Sequence, residues 1–389
     1  MHQELAQYFS VDPTQITLYW KGRVALYTIL KALDIKAGDE IILPAFTCVV
    51  VVNPILYLGA KPVFVDIDPK TYNMDIEKIG SKITPNTRVI LAQNTFGLSP
   101  DLDEILKIAD QYNLTVIEDC THGFGGSYKG IPNGMIADVS FFSTQWNKPF
   151  STVIGGFAVS KNSDLARKLT EYEAELIRPG LKDELTIKTL FFARKRISSK
   201  LYWPAIELYR WLSKNNLILG SSQGDELQKP AMPASFFKGI SRSQIAIGTR
   251  EVEKVTEYID HRKSIAMEFD RLLLDLQIEP PYQPDYTEHT FLKYPLLVKN
   301  REEFFDLAHK DKIELGDWFL SPIHPVISDY DRFNYPYGKN PIAEKISQHI
   351  INLPTNFHVN DKQLSGITQF IMRNRDGIYH SYNEMVKPC

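Results

Sequence analysis

The sequence predicts an α/β fold, with a large domain on a mostly parallel mixed sheet flanked by helices and a smaller C-terminal α/β domain. Three observations lead to it. Short β-branched and aromatic runs alternate with helical segments of roughly ten to fifteen residues, the signature of βαβ units. Runs such as IIL at 41–43 and VFV at 63–65 read as buried strands. After Gln244 the chain starts a second, shorter series of helix, strand and helix.

Ile16 to Trp20 (ITLYW) is the first strand, and beyond the turn Lys21-Gly22-Arg23 a helix runs from Val24 to Leu33. A strand passing through a glycine turn into a helix leaves amides free at the helix N-terminus, where an anion can bind. Gly38-Asp39-Glu40 leads into a buried strand, a proline turn at Pro44 and an apolar helix ending near Gly59. Lys61-Pro62 opens the strand VFVDI, which Asp68-Pro69 closes. The alternation continues with the strand in RVILAQNTFG, a helix from Asp101 to Tyr112, the strand LTVIEDC and a strand from Asp138 to Phe142. In such sheets ligands sit beyond the carboxyl ends of the strands. The later series predicts one long helix from Gln244 to about Leu274, a strand near Phe291 to Val298 and a helix from Arg301. Trp318, the SPIH turn and closing helices follow, which places the domains at 1–245 and 246–389 and folds the second over the cleft of the first.

Composition excludes several classes of function. With 389 residues, 43% hydrophobic and 23% charged, the chain has an ordinary globular make-up and length for a large core. A formal charge of -3 gives no basic field for nucleic acid. Cys48, Cys120 and Cys389 are too few and too scattered for a disulfide framework or a structural zinc site, which points to a reducing cytoplasm. The N-terminus lacks an apolar core of signal-peptide length, and no run is long enough to span a bilayer. His324 has no partner at metal spacing and reads as a cleft or core histidine, so no metal is expected.

Two stretches carry the chemistry. In SFFSTQWNKPFSTVIGG, Pro149 biases Lys148 away from helical backbone, so its amine sits on a connection leaving a strand end. A lone lysine there is ordinarily a surface residue. The surrounding hydroxyls, amides and aromatics suit a polar ligand held against an apolar wall. In VIEDCTHG, Asp119 follows two residues that should be buried, and an acid there is costly unless it meets a cation. Asp119 reads either as a helix N-cap or as a carboxylate facing a protonated ring nitrogen. Glycines 123, 125, 126, 130 and 134 then form a turn-rich region where backbone can approach a ligand. A lysine that can form a Schiff base, a carboxylate for a ring nitrogen, and a helix N-terminus with Ser143 for a phosphate are together the parts needed to hold pyridoxal phosphate.

The segments Gly22-Arg23-Val24-Ala25-Leu26, GDEIILPAFT, GAKPVFVDID, FGLSPDLDEI, VIEDCTHGFGGSYKG and FSTQWNKPFSTVIGG stand in the order and spacing of a known family. The chain resembles the DegT/DnrJ/EryC1/StrS group of fold type I pyridoxal-phosphate enzymes, mostly nucleotide-sugar aminotransferases. The resemblance covers roughly the first 160 residues and resumes more weakly at Trp318, SPIH and NLPT. It implies that Lys148 is the Schiff-base lysine, that Asp119 pairs with the pyridinium nitrogen, and that His122 lies near the phenolic oxygen of the cofactor. It also implies that Ser143 and the amides of Gly22 and Arg23 hold the phosphate. The family's dehydratase branch has histidine where this chain has Lys148, so transamination is implied over dehydration. The expected reaction moves an amino group, from glutamate, to a nucleotide-linked keto sugar in polysaccharide or secondary-metabolite biosynthesis, on a homodimer. A cyclitol or lipid-linked ketone as substrate, or a non-catalytic membrane-associated role, are the alternatives.

The chain departs from the family pattern in three places. Cys48 stands where many members stack an aromatic on the cofactor ring, which leaves Phe96 as a candidate cover. The family's Asn-x-Arg element, which reaches the neighbouring subunit's site, is replaced by SFFKGISRSQIA, with Lys238 or Arg242 as candidates. A helical insertion occupies about 180–233. Its part from 186 to 214 combines Lys188, Arg194, Lys195 and Arg196 with Phe191, Phe192 and Trp203, as a packed lid, a subunit contact or a peripheral membrane contact would.

Overall fold

The computed structural model describes residues 1–196, 226 and 230–386. Helix α1 (His2–Phe9) precedes strand β1 (Ile16–Tyr19) and helix α2 (Gly22–Ala32). Next come β2 (Glu40–Pro44), β3 (Thr47–Cys48), α3 (Val49–Tyr57), β4 (Lys61–Val65), the short α4 (Ile76–Ile79) and β5 (Thr87–Gln93). Then follow α5 (Leu102–Tyr112), β6 (Thr115–Asp119), the two-residue strands β7 (Ser127–Tyr128) and β8 (Ile131–Pro132), β9 (Val139–Ser143) and β10 (Gly156–Ser160). Helices α6 (Ser163–Glu175) and α7 (Leu181–Arg196) close this part.

Seven strands form one sheet in the order β1-β10-β9-β6-β5-β2-β4. Only β10 runs against its neighbours, so the sheet is mixed but mostly parallel. Successive side chains of a strand point to opposite faces. Accordingly Ile41 and Leu43, Val89 and Leu91, and Ile117 pack with α2 and α3 in one apolar cluster. Ile42, Ile90, Ala92 and Val116 pack with α5 in another. Both faces are covered, which is why these strands read as continuous apolar runs.

The C-terminal part begins with α8 (Arg242–Val252) and α9 (Val255–Asp275). The sequence predicts one helix here; the structure breaks it at Glu253 and Lys254, where Lys254 has φ -99° and ψ 1°. Neither glycine nor proline marks the break. Val252 and Val255 on its two sides both enter the apolar cluster around Phe9, Phe124 and Phe157, so tertiary burial sets the bend. The short β11 (Thr287–Glu288) pairs with β7, and β12 (Tyr294–Leu297) precedes α10 (Arg301–Lys310). Strand β13 (Ile323–His324), α11 (Pro341–His349), β14 (Ile350–Leu353) and α12 (Asp361–Arg373) follow. Strands β12 and β14 pair antiparallel, and a second core of Phe269, Leu296, Phe304, Ile351 and Phe370 lies between them and α9, α10 and α12. Between these elements the chain returns to the first part. Strand β13 runs parallel to β3, with Ile323 opposite Thr47 and His324 opposite Cys48, and so brings Trp318, Phe319 and His324 to the carboxyl edge of the large sheet.

Candidate active site

A cleft opens at that edge, lined among others by Gly22, Asp119, His122, Ser143, Lys148 and Trp318. Residues from three strand ends and one helix start therefore converge across more than a hundred positions of sequence.

The phosphate end is built by backbone packing. Helix α2 starts at Gly22, its N-cap Lys21 is extended, and no side chain caps it. Gly22 lies against the end of β9: a Cβ there would stand 2.9 Å from the carbonyl oxygen of Phe142 and 3.1 Å from Cβ of Ser143. A glycine thus brings the positive end of the helix dipole beside a hydroxyl. The Gly22→Ala variant should be destabilised by about 1–3 kcal/mol through overpacking. It should also bind pyridoxal phosphate more weakly, as measured by thermal unfolding without cofactor and by cofactor titration. Unchanged cofactor affinity would remove this helix end from the site. The Arg23 side chain, in contrast to its amide, turns into the core and ion-pairs with Glu226.

Asp119 ends β6 and is 1% exposed. No helix follows it; its Oδ1 accepts from the Thr121 N–H at 2.9 Å in a local turn, so it is not a helix N-cap. Burial raises its carboxyl above the usual range, opposed by the hydrogen bonds from Thr121 and by the charge of Lys148. Lys148 sits on the connection after β9, where its N–H donates to the Gln145 carbonyl at 3.0 Å. Its Nζ lies 4.6 Å from the centre of the Trp318 ring. Burial, with the charge of Lys293 adding to it, brings this amine down to about 8 against the pull of Asp119 and Cys48. An amine so placed is partly neutral, and hence nucleophilic, near physiological pH.

His122 stacks on Trp318 with ring centres 4.9 Å apart and planes 16° apart. Its Nδ1 accepts from the Phe96 N–H at 3.3 Å. Burial and the charges of Lys148, Lys293 and His324 hold it well below the usual imidazole range. It is therefore neutral, and with Nδ1 accepting, its proton is on Nε2.

Gln93 in the cleft and Glu226 outside it carry no motif that identifies them, whereas His324 belongs to the SPIH turn. Gln93, at the end of β5, donates to the Phe46 carbonyl at 3.0 Å and to Thr95 Oγ1 at 2.9 Å, and accepts from Thr47 Oγ1 at 2.6 Å. His324 lines the cleft, brought down to about 4 chiefly by burial. Glu226, the partner of Arg23, is an isolated acid within the insertion and gives no signal in the sequence. Phe96 is not a cleft residue. It packs behind the site, with ring centres 5.7 Å from Phe319 and 6.1 Å from Phe46, while Trp318 and Phe319 line the cleft. Lys238 pairs with Asp183 at 3.1 Å, and the Arg242 N–H donates to Glu184, so neither lines the cleft of its own chain.

Residues 2–189 and 226–372 match the DegT/DnrJ/EryC1/StrS aminotransferase family. The chain belongs to that family. It is a pyridoxal 5′-phosphate-dependent aminotransferase. Among relatives of this family, the UDP-2-acetamido-2-deoxy-3-oxo-D-glucuronate aminotransferase of Pseudomonas aeruginosa is 41% identical over 335 residues, covering 86% of this chain and 79% of its own. GDP-perosamine synthase of Escherichia coli O157:H7 is 28% identical over 352 residues, covering 90% and 83%. The crystal structure of an aminotransferase from Psychrobacter cryohalolentis superposes with a TM-score of 0.75 at 20% identity, covering 97% of this chain and 90% of that one, a likeness of fold.

The cleft suits this family's cofactor. The buried Asp119 is opposed by the charge of Lys148, and a protonated ring nitrogen would add a counter-charge for the carboxylate. At the other end the uncapped helix and Ser143 suit a phosphate. Of the insertion, residues 197–225 and 227–229 lie outside the described residues, and with them most of the basic aromatic stretch at 186–214. Among the described residues no helix is long and apolar enough to cross a membrane.

Proposed function

We propose that this aminotransferase moves an amino group from L-glutamate to the ketone of a nucleotide-linked sugar in cell-surface polysaccharide or secondary-metabolite biosynthesis. It would act as a cytoplasmic homodimer. The observation that carries the reading is the convergence of the Lys148 amine, the Asp119 carboxylate and the start of α2 on one cleft. The 41% identical relative, named for a UDP-linked 3-oxo uronate, supports the substrate class.

Bound pyridoxal phosphate supplies an electron sink for the negative charge that develops on the carbon bearing the amino group. Ser143 and the amides of Gly22 and Arg23 would hold its phosphate. Asp119 would keep a proton on its ring nitrogen, and the Nε2–H of His122 would donate to its phenolic oxygen. Lys148 would be the residue that anchors the cofactor through Nζ, and the same amine, neutral when free, would move the proton from the donor's α-carbon to the other side of the nitrogen. Trp318 and Phe319 exclude water from one wall.

The test is turnover of UDP-, GDP- and dTDP-linked keto sugars with L-glutamate, following release of 2-oxoglutarate. We expect turnover with at least one UDP-linked 3-oxo sugar. No conversion of any of them, with free cyclitol ketones accepted instead, would overturn the reading.

A further inference from the structure

A second cavity of about 400 Å³ lies on the far side of Lys148, which is the residue common to the linings of both. It is walled by the 146–151 connection, the start of α9 and the residues around Lys293, Gly316 and Thr355. A substrate group held in this space would lie beside Lys148.

The charges in this wall are unevenly paired. Lys254 lies 3.6 Å from Glu251. Arg262 is buried, with Nη1 donating to the Leu292 carbonyl at 3.1 Å and to Thr355 Oγ1 at 2.9 Å. Lys293 differs, for among the described residues it has neither an ion pair nor a hydrogen bond through its amine. Its Nζ lies 5.4 Å from the centre of the Trp318 ring, the same ring that Lys148 approaches at 4.6 Å. Glu314 and Asp317 act on it through their charges without forming an ion pair, and burial outweighs them.

The position is held from behind. The Gly316 N–H donates to the Asn352 carbonyl at 2.8 Å, the Asn352 N–H returns to Gly316 at 3.0 Å, and Asn352 Oδ1 accepts from the Trp318 N–H at 3.0 Å. Gly316 leaves room beside the amine, since a Cβ there would lie 3.3 Å from Lys293 Nζ. A half-buried ammonium ion without a counter-ion is unfavourable unless an anion arrives from outside.

We propose that Lys293 determines specificity by binding a carboxylate of the substrate that enters the second cavity, which sets the reacting carbon beside Lys148. The inference rests on the aminotransferase reading above. Two carboxylates have the right chemistry, that of the amino donor and that of a uronic acid sugar, and each would meet the ammonium in a charge-assisted hydrogen bond.

The test compares Lys293→Met and Lys293→Arg with the wild type, all loaded with pyridoxal phosphate. For the carboxylate that Lys293 binds, Lys293→Met should raise KM about 10- to 100-fold, the effect of losing a hydrogen bond to a charged group, with a smaller change in kcat. Lys293→Arg should recover most of it. L-glutamate in the first half-reaction, and a UDP-linked keto-uronate against its neutral hexose counterpart in the second, show which carboxylate is bound. Titrations of tryptophan fluorescence with 2-oxoglutarate and with UDP-glucuronate read binding without turnover. At least one should need about 10- to 100-fold more ligand in Lys293→Met. Unchanged binding of both, or an equal loss for charged and neutral sugars, would overturn the proposal. Failure of the wild type to aminate any sugar would refute the reaction instead, while the titrations still decide Lys293.

Discussion

Replacing Lys148 with alanine is expected to eliminate the visible absorption of the lysine-linked cofactor and to lower transamination by about 10²-fold to 10⁴-fold, the range for a positioned proton-transfer group. The spectrum and a single-turnover assay with L-glutamate measure both. The fold should survive, because an ammonium ion whose burial is unfavourable is being removed. The same amine gives a second readout in cofactor-free wild type. Because its folded pKa of about 8 lies below that of an ordinary lysine, half of Lys148 is neutral near pH 8, whereas exposed lysines reach that point near 10.5. A small acylating reagent should therefore label Lys148 with a midpoint near pH 8, read by mass spectrometry. A retained spectrum in the alanine variant, or a labelling midpoint near 10.5, would return Lys148 to the ordinary surface lysines.

The depressed basicity of Lys148 and the neutrality of His122 have one origin. Both side chains lie against Trp318 in a buried cleft, and burial disfavours whichever form carries charge. Asp119 responds in the opposite direction because its charged form is the basic one. Burial alone thus yields a partly neutral amine and a neutral imidazole that donates from Nε2. An acid that burial would otherwise protonate keeps its charge only by facing a cation.

Most of the sheet was legible in the sequence because its parallel strands end in turn signals and helices such as α2 and α5 are long enough to be periodic, whereas β10 was not read as a strand. Asp119 stood out as an acid at a buried strand end, whereas Lys148, on a connection where a lone lysine is ordinarily exposed, stood out only through the polar and aromatic residues around it. Trp318, Gln93 and Lys293 were harder to place. Trp318 reaches the cleft only because β13 pairs with β3, a contact between residues more than two hundred positions apart that local pattern does not encode. Phe96 failed as a cleft residue because an aromatic near a strand end can turn to either side; here the intervening Phe319 takes the surface position. The break between α8 and α9 has no local signal either, since burial of Val252 and Val255 in one cluster imposes it.

Asp119→Asn tests whether the carboxylate serves a ring nitrogen or only the local turn. Asparagine has nearly the same shape and keeps an oxygen that can accept from the Thr121 N–H, so the local turn at 119–121 should persist. What disappears is the negative charge, and with it, on the proposed assignment, the group that would keep a proton on the ring nitrogen. Breaking a buried pair by removing one partner costs about 3–5 kcal/mol, so kcat should fall on the order of 10²-fold to 10³-fold, while Lys148 still holds the cofactor and its visible band remains. The charge also pulls the Lys148 amine upward, against burial. Its loss should therefore move the labelling midpoint of the cofactor-free variant below that of the wild type. A carboxylate serving only the turn would leave kcat where it was, and Asp119 would then have no part in the reaction.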